Sequence, residues 1–191
     1  MCIGDTGRMH YFRFMSLVLL RKNTLTTLLA LALLSGCGSA APDITQRPIP
    51  FGPERRDLTR AYLSDRYGIQ QDHEQIQPQM VVLHWTAIPT LEGSFEAFYP
   101  ETLPGKRSDI QNAGSLNVSA HYLVDRDGDI YQLLPDTLMA RHVIGLNHCA
   151  IGIENVGGTK DTPLTPAQVA ANEALVRLLA SRHPIRYLLG H

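Results

Sequence analysis

Three residues in this sequence carry side chains suited to a hydrolytic centre, and each stands on or just past an apolar run. His84 follows Met80-Val81-Val82-Leu83, His191 follows the stretch from Ile185 to Gly190, and Glu154 lies in Ala150-Ile151-Gly152-Ile153-Glu154-Asn155. An imidazole at the end of a buried strand needs a hydrogen-bond or metal partner, which the valines and leucines before it do not. Two neutral imidazoles and a water suit Zn²⁺, and a carboxylate close by can take the proton of that water. The long separation of the histidines, without a short metalloprotease motif, makes spacing alone a weak signal for a metal pair, and a lone histidine is more often structural. Cys149 beside His148 raises a thiol hydrolase as another class. Neighbouring strand residues point to opposite faces, however, so Cys149 reads as a core thiol.

These residues require strands to deliver them to one edge. Met80 to Leu83 is short, continuous and β-branched, as expected of a fully buried strand, and Ile185 to Leu189 reads as another. If the two run parallel, their histidines share an edge. In the segment 150–155 the alternation places Ile151 and Ile153 on one face and Glu154 on the other. Ser119 to Val124 and Asp129 to Leu134 flank Asp125-Arg126-Asp127-Gly128, an Asp-Gly turn that predicts a hairpin. A helix is expected from Glu54 to Tyr67, ending at Gly68 and packing outside the sheet. Thr165-Pro166-Ala167-Gln168 combines an N-cap, a first-turn proline and a capping-box glutamine, opening a second helix that runs to about Ser181. Residues 88–118, with prolines and glycines throughout, read as a functional surface loop bordering the site. The class is α/β, a mixed central β-sheet flanked by helices, with ligands gathering at strand carboxyl ends.

Composition agrees with one globular domain behind a leader. The chain has 191 residues, 44% of them hydrophobic and 18% charged, which excludes global disorder. A formal net charge of -1 gives no reason to expect a nucleic-acid partner, and three cysteines exclude a disulfide-built scaffold. The bases Arg8, Arg13, Arg21 and Lys22 face one acid, Asp5, in the leader, and the remainder is acidic. Lys22 is followed by the apolar run Leu25 to Leu34 and then Leu34-Ser35-Gly36-Cys37. A basic segment, a short apolar segment and small residues make the order of a secretory signal, too short to span a bilayer. The expected division is a signal peptide over 1–36, a tether over 37–53 and a domain over 54–191.

Two family resemblances attach to these motifs. Leu-Ser-Gly-Cys resembles the lipobox of bacterial lipoproteins, which implies cleavage before Cys37 and its lipidation. Gly38 in the next position implies sorting to the outer membrane of a Gram-negative cell, with the protein on the periplasmic face. The stretches Val81 to Ala87, Ser119 to Gly128, Ile151 to Glu154 and Leu189-Gly190-His191, in that order, resemble the type 2 N-acetylmuramoyl-L-alanine amidases. Their zinc amidase fold is shared with phage amidases and peptidoglycan recognition proteins, and the resemblance covers residues 54–191. It implies that His84 and His191 are two zinc ligands and that Glu154 polarises the attacking water. The family's third ligand, an aspartate or cysteine, is expected several residues past the Gly-His step, where the sequence as given stops, so the chain reads as a fragment. A tyrosine that some branches place before the aromatic pair is Ala120 here, leaving the base role to Glu154. His121 is expected in the core or beside the ligands. His142 and His148 are expected near a substrate groove without a catalytic role. The implied reaction is hydrolysis of the amide between N-acetylmuramic acid and L-alanine in peptidoglycan or muropeptides. The competing reading is a peptidoglycan-binding lipoprotein that keeps the groove without turnover.

Overall fold

The computed structural model describes residues 41–105 and 114–191. The leader, Cys37 and the first residues of the tether lie outside the described residues. Among the described residues the elements are, in order, β1 (Ile44–Gln46), α1 (Pro53–Tyr67), β2 (Met80–Trp85), α2 (Leu91–Phe98), β3 (Tyr122–Val124), β4 (Ile130–Gln132), β5 (Ala150–Asn155), α3 (Pro166–Arg182) and β6 (Tyr187–Gly190). The strands form a mixed sheet in the order β1-β4-β3-β5-β2-β6. Only the hairpin pair β3 and β4 is antiparallel; β2 runs parallel to both β5 and β6, and β5 parallel to β3.

One face of this sheet is closed by α3. Thr165 accepts from the Gln168 amide at 3.1 Å while the Gln168 side chain accepts from the Thr165 amide at 3.1 Å, the reciprocal cap read from the sequence. The same glutamine also donates through Nε2 to the carbonyls of Val124 and Val156, tying the helix start to the ends of β3 and β5. Leu175 and Leu179 then pack fully buried against Val81, Tyr122, Val124, Ile151 and Ile153. Burial of each such leucine contributes about 1.5–3 kcal/mol. On the opposite face Leu123 meets Phe98, Leu133, Leu134 and Val156. Helix α1 covers loops rather than strands, with Tyr62 and Leu63 against Ile76, Leu116 and Met139.

Two expectations are corrected. The segment 37–53 is not tether throughout. Ile44–Gln46 pairs in parallel with Ile130–Gln132, the Arg47 and Ile49 amides continue the ladder to Gln132 and Leu133, and Ile49 is buried. Proline is tolerated beside an edge strand because it interrupts no pairing there, so the prolines at 42, 48 and 50 bracket β1 without breaking it. Residues 88–118 are also not loop throughout. Thr90 caps α2 by accepting from the Gly93 amide at 3.2 Å, and Leu91, Phe95 and Phe98 recur at helical spacing on the side facing Leu123. The last carbonyls of this helix are met by Arg55 of α1, whose Nη2 donates to Phe98, Tyr99 and Pro100 at 3.0, 3.2 and 2.5 Å.

Candidate active site

The parallel registers bring the three predicted residues to the carboxyl edge of the sheet. His84 stands opposite Glu154 in the β2 and β5 pairing. The β2 and β6 pairing ends at Leu83 opposite Gly190, and the His191 amide donates to the Leu83 carbonyl at 3.0 Å, so His191 comes level with His84. Residues level on adjacent strands project to the same side, here the face away from α3. The Nδ1 atoms of His84 and His191 lie 3.2 Å apart with their rings edge to face. The main chain of His84 is held as well: Asn155 Nδ2 donates to its carbonyl at 2.9 Å, and Asn172 of α3 donates to Asn155 Oδ1 at 2.7 Å.

Burial sets the protonation of the group. His84 is only 5% exposed, and burial, then the neighbouring His191, pushes its imidazole down to about 4. It is therefore a neutral ligand or acceptor at neutral pH. Glu154 has a buried Oε2 without a hydrogen-bond partner, and burial pushes its carboxyl up to about 8. A carboxyl that exchanges protons near neutrality, with an open acceptor, is suited to general acid and base work. Ala120 is fully buried and offers no hydroxyl, as its identity requires.

His142, which the sequence placed near a groove without a role, belongs to this cluster. Its Nδ1 is 3.0 Å from His84 Nε2, and its Nε2 is 3.2 Å from the Ala150 carbonyl. The imidazole lies directly over Gly152, where a Cβ would come 2.6 Å from the ring Cγ. Glycine is required at that position by close approach, not by backbone angle. Asn147 Oδ1 accepts from the amides of His142 and Val143 at 2.9 and 2.8 Å and shapes the segment that presents the ring. Sequence carried one signal for this, a glycine inside an otherwise branched strand. His121 is a core residue beside the cluster: Gly152 N donates to its Nδ1 at 2.9 Å, its Nε2 donates to the Leu138 carbonyl at 2.8 Å, and burial lowers its pKa to about 4.

His148 does not join them. It packs on Tyr67 with ring centres 4.5 Å apart, and together with Cys149 it lines a separate cavity of about 620 Å³ beside the start of β5. Cys149 Sγ donates to the Leu146 carbonyl at 3.5 Å, and Glu154 stands at the far end of that strand. This thiol thus stands away from the acid and the paired imidazoles.

The cluster opens into a cavity of about 250 Å³ walled by Trp85, Ile88, Ala97 and Phe98 as well as His84, His142, Glu154 and His191. Helix α2 is therefore a wall of the site. The rim after β2 is fixed through Thr86, whose hydroxyl accepts from Ser94 Oγ at 3.0 Å and from the Ile88 amide at 3.1 Å. Ala87 is held left-handed at a φ of 56° between two bonds to the Gly157 backbone on the neighbouring loop.

Comparison with known proteins follows the same residues. Residues 74–191 match the family model of N-acetylmuramoyl-L-alanine amidases. The 1,6-anhydro-N-acetylmuramyl-L-alanine amidase AmpD of Citrobacter freundii is 31% identical over 133 residues, covering 63% of this chain and 70% of that protein. The endolysin of Escherichia phage T7 is 30% identical over 83 residues, 41% of this chain and 55% of its own length. Among solved structures, the amidase LysC from Clostridium intestinale URNW shares the fold, with a TM-score of 0.52 at 23% identity over 78% of this chain and 83% of that one. A selenomethionine derivative of AmpD gives 0.51 at 25% identity over 78% and 80%. The family match spans His84, Glu154 and His191 together, and the chain belongs to the N-acetylmuramoyl-L-alanine amidase family of enzymes.

Proposed function

We propose that this protein is a zinc-dependent amidase that hydrolyses the bond between the lactyl group of N-acetylmuramic acid and L-alanine in peptidoglycan or its turnover fragments. The observation that carries the reading is Glu154, whose buried Oε2 has no hydrogen-bond partner, level with the paired imidazoles of His84 and His191. Among the described residues no group of three or more His, Cys, Asp or Glu side chains is arranged to hold a metal ion. The two imidazoles nevertheless fit one. Nitrogen ligands at zinc distances of 2.0–2.1 Å, about a tetrahedral centre, stand about 3.3 Å apart, and the two Nδ1 atoms here are separated by 3.2 Å. His84 and His191 would supply two donors, leaving the remaining positions to groups outside this pair.

A zinc ion bound there supplies Lewis-acid activation of the scissile carbonyl and of water. The chain's own residues do the rest. Glu154 takes a proton from the attacking water and returns it to the departing amine, so no covalent intermediate is required. Asn155 and Asn172 hold the His84 backbone in register, and Phe98, Ile88 and Trp85 line the cavity in which the acyl group would lie. The test is release of stem peptide from purified murein and from soluble muropeptides. Release is expected to be lost on chelation and restored by zinc, and to fall about 10²–10⁴-fold in Glu154→Gln with the fold retained. Full release by Glu154→Gln would reject the base assignment. Binding of murein without release would favour a non-catalytic recognition protein.

The lipobox-like Leu34-Ser35-Gly36-Cys37 supports a second part of the proposal, that Cys37 carries lipid and anchors the enzyme at the outer membrane facing the periplasm. Cys37 lies outside the described residues. Fatty-acid labelling of the full chain, lost in Cys37→Ser, is expected; equal labelling would overturn it.

A further inference from the structure

We infer that His142 is a positioning residue that fixes the tautomer of His84 and turns its Nδ1 lone pair toward His191, thereby raising the affinity of the pair for a divalent metal. The inference rests on the metal reading above and adds to it a residue outside the two ligands. The hydrogen-bond chain admits one assignment for neutral rings. A carbonyl oxygen only accepts, so the His142 nitrogen at 3.2 Å from the Ala150 oxygen, Nε2, carries the hydrogen. The other nitrogen of the same ring, Nδ1, is then an acceptor. His84 Nε2, 3.0 Å away, must be the donor to it. A neutral imidazole with hydrogen on Nε2 keeps its lone pair on Nδ1, the atom 3.2 Å from His191 Nδ1. The opposite assignment would set the lone pair of His142 Nε2 against the carbonyl lone pairs.

His142 is held at its ring by a backbone carbonyl and at its amide by a side chain. Ala150 belongs to β5, and the His142 amide is fixed by Asn147 Oδ1 at 2.9 Å. Gly152 admits the ring against the strand, since any Cβ would meet three of its atoms within 2.8 Å. A ligand histidine ordinarily donates its second N–H to a carboxylate, a carbonyl or water. Here the acceptor is another imidazole, whose own direction is set by the strand. The ligand orientation is therefore written into β5 twice, by the Ala150 carbonyl and by the missing side chain at 152.

Two measurements on the full chain test this. In the metal-free protein, long-range proton–nitrogen NMR is expected to show hydrogen on Nε2 and none on Nδ1 in both His84 and His142. In competition with a chromophoric chelator, His142→Ala is expected to bind zinc about 10–100-fold more weakly. Gly152→Ala, which displaces the ring without touching either histidine, should show the same direction. His142→Gln, which restores a carbonyl acceptor for His84 Nε2, is expected to recover most of the affinity. The inference is overturned if His84 carries its hydrogen on Nδ1 in the unsubstituted chain. It is equally overturned if a folded His142→Ala protein binds zinc within threefold of the parent. Should the variants not fold, the NMR result on the unsubstituted protein still decides. Failure of the metal reading has its own signature, no zinc uptake by the unsubstituted chain, and would remove the affinity claim with it.

Discussion

Gly158 offers a quantitative test of how the rim after β2 is supported. Its φ is +87°, and a Cβ at this position would lie 2.2 Å from the Cβ of Trp85. That atom is fixed to the main chain of β2 and cannot rotate aside as a side-chain tip would. Gly145 has the same φ of +87° but open space around it. A non-glycine residue in the left-handed region costs about 1–2 kcal/mol, and overpacking a close contact costs about 1–3 kcal/mol more. Gly145→Ala is therefore expected to lose about 1–2 kcal/mol, and Gly158→Ala about 2–5 kcal/mol. Against the roughly 5–15 kcal/mol of an ordinary domain, the second change is large. Urea unfolding followed by circular dichroism and by the emission of Trp85, the chain's one tryptophan, measures both. Because Trp85 follows His84 on β2, the displacement also reaches the active site. Amide hydrolysis is expected to fall more than tenfold in Gly158→Ala and less than twofold in Gly145→Ala. Equal destabilisation by the two substitutions would refute the steric argument.

Other substitutions probe separate supports. Arg55→Ala takes away the donor to the Phe98 and Tyr99 carbonyls, leaves Pro100 with Asn117 Nδ2 alone and opens a buried void, so a loss of about 2–4 kcal/mol is expected in denaturant titration. Its guanidinium, pushed down to about 10 by burial, still carries its charge at neutral pH; a change below 1 kcal/mol would deny it this role. Asn155→Ala takes the donor from the His84 carbonyl and the acceptor from Asn172, and should cost about 2–3 kcal/mol in the same assay. His121 predicts an acid dependence. The unfolded imidazole takes a proton near 6.5, while the folded one resists it down to about 4, so its contribution is complete above pH 6.5 and stability falls as pH drops through that window. Between pH 7 and pH 5 the parent should lose about 2 kcal/mol more than His121→Asn; identical pH profiles would remove His121 from the account.

Much of this arrangement was legible before the fold. Residues at the ends of apolar runs identified His84, Glu154 and His191, and local chemistry placed the hairpin turn and the cap at Thr165. What escaped depended on partners distant in sequence. Strand β1 has three residues, too few for periodicity to show, and exists because β4 offers it a ladder. Helix α2 is short and interrupted by Gly93, and Arg55, which meets its carboxyl end, lies on a different helix. His142 looked like any loop histidine because its two neighbours, His84 and Ala150, come from different strands.

The sheet order has a consequence for how the enzyme comes into being. His84 and Glu154 sit on β2 and β5 and His191 just past β6, three strands that meet through β2, and β6 reaches β2 after the chain has passed through the hairpin, β5 and α3. Closing such distant pairings is the slow part of folding, because the loop entropy is lost before the contacts are gained. A chain that has paired β2 with β5 already holds its acid and one imidazole, yet the second imidazole is missing until β6 docks. On the proposed assignment, the three groups therefore come together only when β6 docks on β2.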